Sequence, residues 1–441
     1  MKQLLSHRGF RLLLIGQGVS AFGDWMVTVA LIALVLRLSG SSTAVGAVLV
    51  LRLFPAAVAG PLAARAAERW DRRRTMLAMD VLRAGMVAVI PLIDRLAWVY
   101  IWSVVLEVAS LVFLPARDAS IPDLVAGEDL PLANGLVLGS SYGVIPVAAG
   151  VFAVFAALSP TGGLLGGHPF ALVFWADALT FLVSFACIRQ LTNLGTVGSA
   201  QPDGAGAAHE GGFRAAFRIP LVRLVLAPTA AVALGLGSLF SVGVVYVRDV
   251  LKASDASFGI LIAMFGVGAA AGLIILRARK DTDSLATVRV AVIIQGGTIA
   301  FMSLVDRLVP TFLGAAGFGA MTAITLAAGM SALQERLSGE DRVLAFAAFH
   351  VVIRVGLSLA ALVAGGANDS LAAVTVPILG SVEPARMILV CAGVLVILSG
   401  LLVHPLPEHQ VGNAGPGGVE TTRVDRNGVD SSGFDPLGGL S

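Results

Sequence analysis

The chain has 441 residues, of which 57% are hydrophobic and only 13% charged, and its formal net charge is +2. A soluble domain carries about 25% charge, so this composition excludes a large water-soluble enzyme and fits an integral membrane protein in a lipid bilayer. The charges fall in short gaps between apolar runs and build no basic face, which excludes a nucleic-acid partner.

A membrane-crossing helix needs about 20 apolar residues. Taken in chain order, that ruler predicts twelve spans, at about 12–36, 43–64, 76–94, 97–116, 132–157, 168–188, 221–247, 257–276, 287–305, 309–333, 343–366 and 385–404. The N-terminal Met1-Lys2-Gln3-Leu4-Leu5 lacks the apolar core and small-residue cleavage site of a signal peptide, so the first span is expected to be retained. The polar gap from Arg189 to Arg218 separates six spans from six, and the Gly-, Asp-, Asn- and Ser-rich chain after His404 reads as a disordered tail. The expected organisation is an N-terminal six-helix half at 1–188, a central linker at 189–220, a C-terminal six-helix half at 221–404 and a tail at 405–441. An internal echo supports the two halves: Gly127-Glu128-Asp129-Leu130 returns 212 residues later as Gly339-Glu340-Asp341-Arg342. The fold class is therefore all-α integral membrane, built as a parallel repeat.

Orientation follows from Lys and Arg. With both termini cytoplasmic, 20 of them fall in the segments on that side and 6 in the outer loops. The two cysteines, Cys187 and Cys391, lie in apolar runs and fit neither a disulfide framework nor a zinc site, and no metal or cofactor is expected.

Several spans carry charges in mid-course. Each costs roughly 2.5–3.5 kcal/mol if it faces lipid, so these residues must face a protein interior or an aqueous cavity. Asp24 lies 13 residues beyond Arg11 and Arg52 lies 12 residues before Ala64, depths of roughly 20 and 18 Å, which places them as a pair near the midplane. Glu107 and Arg83 form a second expected pair at roughly 14–15 Å. In the second half His350 and Arg354 stand one turn apart on one face. An acid that gains and loses an Arg neighbour as helices move changes its affinity for a proton, and a histidine titrates near neutrality. Asp24, Arg52, Glu107, His350 and Arg354 are therefore the candidates for proton coupling or substrate contact. Asp177 reads as a packing residue with a hydrogen bond, and Arg289 as a side chain reaching to the surface.

Other local patterns carry no chemistry. Gly139-Ser140-Ser141-Tyr142-Gly143 matches a nucleophile elbow but has no strand before it. Gly266–Gly272 is a helix-packing face, and no Walker A sequence exists.

Between the second and third spans the chain reads Ala64-Arg65-Ala66-Ala67-Glu68-Arg69-Trp70-Asp71-Arg72-Arg73-Arg74. This resembles the loop signature of the major facilitator superfamily, with Glu68, Arg69, Arg72 and Arg73 matching in kind and Ala64, Ala66 and Asp71 departing. A longer stretch, Phe113-Leu114-Pro115-Ala116-Arg117-Asp118-Ala119-Ser120-Ile121-Pro122-Asp123-Leu124-Val125 with Leu130 and Ala133-Asn134, resembles the branch of macrolide-efflux and enterobactin-exporter proteins. The resemblance spans about residues 8–405. It implies the major facilitator fold, and it implies that Glu68, Arg69, Asp71, Arg72, Arg73, Asp80 and Arg83 form a conformational latch at the cytoplasmic end. Gly143-Val144-Ile145-Pro146-Val147-Ala148-Ala149-Gly150 is similar to the family's antiporter motif in part: Pro146 and Gly150 remain, as a helix-kink motif, while Ile145 and Ala149 stand where the motif has glycines.

The expectation is a multi-pass transporter of the inner (cell) membrane, monomeric and not an enzyme, exporting small organic molecules in exchange for protons by alternating access. An importer or uniporter on the same fold, and a non-transporting sensor or scaffold, are the alternatives.

Overall fold

The structure, a computed structural model, describes residues 2–53, 55, 70–126, 129–158, 170–191, 194, 216–278, 283–337, 339–376 and 380–403. The expected linker and tail, the Gly127-Glu128 part of the repeat, and Glu68 and Arg69 of the loop signature lie outside these residues.

A short helix α1 (Lys2–Ser6) precedes the long α2 (Arg8–Ser39), which ends where Gly40 adopts φ 65°, a left-handed conformation that glycine takes without strain. Then come α3 (Ser42–Leu53), α4 (Arg72–Val89) with a 3-10 turn at Ile90–Leu92, and α5 (Leu96–Asp118). They are followed by α6 (Ile121–Leu124), α7 (Leu130–Tyr142), α8 (Ile145–Leu158) and α9 (Ala171–Arg189). The second half comprises α10 (Pro220–Val245) with a π-turn at Tyr246–Val250, α11 (Asp255–Ala278), α12 (Ser284–Leu304), α13 (Leu308–Arg336) and α14 (Gly339–Ser370). A two-stranded antiparallel hairpin, β1 (Val374–Val376) and β2 (Gly380–Val382), precedes α15 (Pro384–Leu401).

Among the described residues, eleven helices or helix pairs are long and apolar enough to cross a membrane, and α3 is a shorter apolar helix where the second expected span begins. The all-α expectation thus holds apart from the small hairpin. The third span begins at Arg72, four residues earlier than hydropathy alone suggests. Asp71 caps it by accepting from the Arg74 N–H at 2.7 Å, and Arg72 is buried by finding partners. The fifth span is two helices, α7 and α8, broken just before Pro146.

The halves meet along α8–α11 and α3–α14. A methyl group on Gly46 of α3 would stand 2.5 Å from the Ala361 carbonyl oxygen of α14, and one on Gly266 of α11 would stand 2.9 Å from the Pro146 ring of α8. Glycine at both points lets the backbones approach, the small-residue packing expected where lipid supplies no hydrophobic drive between helices. Apolar side chains such as Leu179, Ile274, Val309 and Val363 point outward, as a lipid-facing surface requires.

Candidate functional site

Four helices bring the intramembrane charges together. Asp24 on α2, Arg52 on α3 and Glu107 on α5 are all half-buried, and so is Arg354 on α14 of the other half. Asp24 lies within electrostatic reach of Arg83 and Arg52, and Glu107 within reach of Arg52 and Arg354. The expected pair Asp24 and Arg52 thus lies within electrostatic reach, and Glu107 and Arg354, which depth alone did not join, do so as well. No ion pair within 4.0 Å joins any of them among the described residues, and the buried Arg52 Nη1 has no hydrogen-bond partner there. These charges therefore act on one another through space and not through direct ion pairs. His350 is exposed on α14 one turn from Arg354.

Arg83 departs from the expected pairing with Glu107. It turns instead to Asp80 on its own helix, Nη2 to Oδ1 2.5 Å, with side chains 4% and 0% exposed. The residues are three apart, hence on one helix face. The guanidinium also lies over the Phe113 and Phe181 rings, 4.0 and 4.5 Å from their centroids, so the aromatic slot fixes it facing Asp80. Asp177, fully buried on α9, accepts from Thr180 Oγ1 at 2.8 Å and packs against Gly23, in keeping with a packing role.

The described members of the expected latch form contacts inside the N-terminal half. Arg72 Nη1 donates to the Ala119 carbonyl at 2.8 Å and to Asp123 Oδ2 at 2.9 Å, while Arg73 donates to the Arg189 carbonyl. Arg117 Nη1 donates to Gln17 Oε1 at 2.5 Å. The loop signature and the Phe113–Val125 signature therefore meet: Asp123 of the second is a partner of Arg72 of the first. Removing Arg72 takes one donor from the Ala119 carbonyl and one from the Asp123 carboxylate, so Arg72→Ala is expected to cost about 1–3 kcal/mol of stability. Both bonds leave one nitrogen, Nη1, so Arg72→Lys should recover part of this: an ammonium can donate to two acceptors, but its side chain is one atom shorter. Thermal unfolding of the detergent-solubilised variants measures both.

The sequence reading passed over a second polar cluster. Asp369, in the last turn of α14, accepts from five donors at the start of α3. These are Ser41 Oγ at 2.5 Å, the Ser42 N–H at 3.0 Å and Oγ at 2.7 Å, and the Thr43 N–H at 2.9 Å and Oγ1 at 2.7 Å. Asn368 Nδ2 donates to Ser42 Oγ at 2.7 Å. The available signal was Ser41-Ser42-Thr43, a run of capping residues, together with an acid at the wrong end of its own helix. At the same end Arg37 of α2 stands 3.7 Å from Asp255 of α11. In the second half, Gln295 Nε2 donates to Thr322 Oγ1 at 2.8 Å inside the α12–α13 packing. No group of three or more His, Cys, Asp or Glu positioned to hold a metal occurs among the described residues.

Residues 13–277 match the family described as Major Facilitator Superfamily. An uncharacterised MFS-type transporter of Bacillus subtilis (strain 168), YfiS, is 24% identical over 182 residues, 41% of this chain and 41% of that protein, so the match spans about two fifths of the relative's length. Among solved structures, the bacterial homologue of the human lysosomal transporter Spinster, in its inward-facing and occupied conformation, aligns with a TM-score of 0.70. It is 15% identical, over 89% of this chain and 94% of that one. The nucleoside transporter NupG aligns with a TM-score of 0.69 and 12% identity, over 89% of this chain and 97% of that one.

Proposed function

Because the chain belongs to the Major Facilitator Superfamily, and so is a multi-pass membrane transporter of small molecules, we propose that it is a proton-coupled exporter of small organic compounds working by alternating access. The observation that carries this reading is Glu107 of one half within electrostatic reach of Arg354 of the other, with Asp24 and Arg52 within the same reach. Rocking of one half against the other changes the distance between that acid and that cation, and with it the affinity of the acid for a proton. The bodies that rock are the halves 1–188 and 221–404, joined by the linker at 189–220. We place the chain as a monomer in the inner membrane with both termini cytoplasmic, on the distribution of Lys and Arg. The Arg72 end is then the cytoplasmic one. The Phe113–Val125 signature supports the macrolide-efflux and enterobactin-exporter branch, and hence export.

Import or uniport on the same fold is the second reading. Ile145 and Ala149, standing where the antiporter motif has glycines, favour it. Uptake of a panel of labelled compounds into inverted vesicles, with and without an imposed pH gradient, separates the two. Accumulation that collapses when the gradient is dissipated is the expected result. Downhill equilibration indifferent to the gradient would replace the exporter with a uniporter.

A further inference from the structure

The contacts between α3 and α14 are unlike the rest of the interface between the halves. The α8–α11 contact sets Gly266 against Pro146 and Gly259 against Phe152 and Ala153, and among the described residues no side-chain hydrogen bond or ion pair crosses it. At α3 the first free N–H groups of a helix, which have no partner in their own helix, are held by the other half. Ser41 Oγ accepts from the Ala44 N–H at 3.1 Å, a local cap, but the Ser42 and Thr43 N–H groups both donate to Asp369. A carboxylate in the last turn of α14 is unfavourably placed for the dipole of its own helix and favourably placed for the N-terminus of α3. Gly365 and Gly46 allow the two backbones to come close enough for this contact. Asn368 adds its own donor to Ser42, and the nitrogen that a sugar would take at the Asn368-Asp369-Ser370 sequon is engaged in that bond.

We propose that Asp369 is a gate clasp: its carboxylate, capping α3 from the opposite half, holds the transporter shut at the Ser41 end, and its release opens that end. This rests on the alternating-access reading and gives it a named closing element. The clasp is suited to reversal because Asp369 is exposed and Ser41 and Thr43 are half-buried, so water can reach their bonds directly and can reach those of the buried Ser42 once α14 withdraws. Both sides of the exchange are then hydrogen-bonded, so the two states differ little in free energy, as a bistable element requires. The Arg37–Asp255 pair spans the halves at the same end, at a longer distance, and acts as a secondary tie.

The test uses the full chain with Cys187→Ser and Cys391→Ser, carrying spin labels at Arg95→Cys and Arg307→Cys. Both positions are exposed, one in each half, at the Ser41 end. A second labelled pair, Arg74→Cys with Arg342→Cys, reports on the opposite end. Pulsed electron-electron distances in lipid nanodiscs are compared for the labelled parent, Asp369→Ala, Asp369→Asn and Ser42→Ala. Loss of the charge-assisted bonds is expected to raise the separated population at the Ser41 end about tenfold in Asp369→Ala. Asp369→Asn, which keeps one acceptor oxygen, and Ser42→Ala should give smaller increases. The distance at the Arg74 end should shorten in step. Unchanged distributions at the Ser41 end in all three variants would overturn the clasp. Widening there without change at the Arg74 end would uphold the clasp and defeat the rocking motion on which the transport reading rests. Elution of each variant as one monodisperse species shows that it is folded. Should Asp369→Ala fail that check, Asp369→Asn and Ser42→Ala carry the test.

Discussion

Asp24→Asn is expected to abolish accumulation of substrate against its gradient while leaving downhill movement partly intact. Asparagine keeps the shape of the side chain and its capacity for hydrogen bonds but removes titration, so only the coupled step should disappear. The position makes this specific. Asp24 is the one acid of α2, beside the buried Asp177–Thr180 contact on α9 and within reach of the charges of Arg52 and Arg83. Arg83 is already paired with Asp80, but the buried Arg52 Nη1 has no hydrogen-bond partner among the described residues and depends on Asp24 and Glu107 for compensating charge. Neutralising Asp24 therefore also costs stability, up to about 3–5 kcal/mol if its charge alone balanced that of Arg52. The double variant Asp24→Asn with Arg52→Gln should regain stability without regaining coupling. Inverted vesicles loaded under an imposed proton gradient read the coupling, and thermal unfolding reads the stability. Full accumulation by Asp24→Asn would assign Asp24 a structural role and pass the coupling role to Glu107.

A second large effect is expected at the α11–α13 crossing. A side chain on Gly319 would run into the Phe265 carbonyl, and one on Gly268 into the Ala316 backbone. Backbone cannot rotate away as a flexible side chain can. Overpacking costs typically about 1–3 kcal/mol, and Gly319→Leu should reach the upper end of that range or exceed it. Gly297 of α12 is the control, since an added methyl group would meet nothing within 4 Å. Gly297→Ala should be neutral or stabilising by up to about 1 kcal/mol, because alanine is the better helix former. Parallel unfolding curves in one detergent compare them, and equal losses in the two variants would show that close approach is not what Gly319 provides.

The spans were legible because hydrocarbon thickness sets their length, and few soluble structures imitate a run of 20 apolar residues. The charged positions were legible for the same reason, since Asp24 and Glu107 are conspicuous against leucine and valine. Their partners were less so. Depth along the helix grouped Asp24 with Arg52 and Glu107 with Arg83, and each acid does feel the charge of its expected Arg, but a one-dimensional ruler does not see the slot between Phe113 and Phe181 that aims the Arg83 guanidinium at Asp80. Asp369 was hidden more thoroughly. Its donors are 326 to 328 residues away, a separation that no local pattern bridges. Helix ends facing another half of the same protein leave no periodic trace.

The break between α7 and α8 turns one membrane crossing into two levers on a common pivot. The Gly143 N–H still reaches the Gly139 carbonyl at 2.8 Å, and the Ala148 N–H the Val144 carbonyl at 2.9 Å, so the bend costs few backbone bonds. The Ser141 carbonyl is taken up by the Trp25 indole N–H at 3.0 Å, next door to Asp24. Beyond the bend, Pro146 bears on Gly266 of the opposite half. On the proposed rocking motion, a shift of the α7 lever, which α2 holds through Trp25, would pass to the Pro146–Gly266 contact. The residue beside the proposed proton acceptor and that contact would then move as one part.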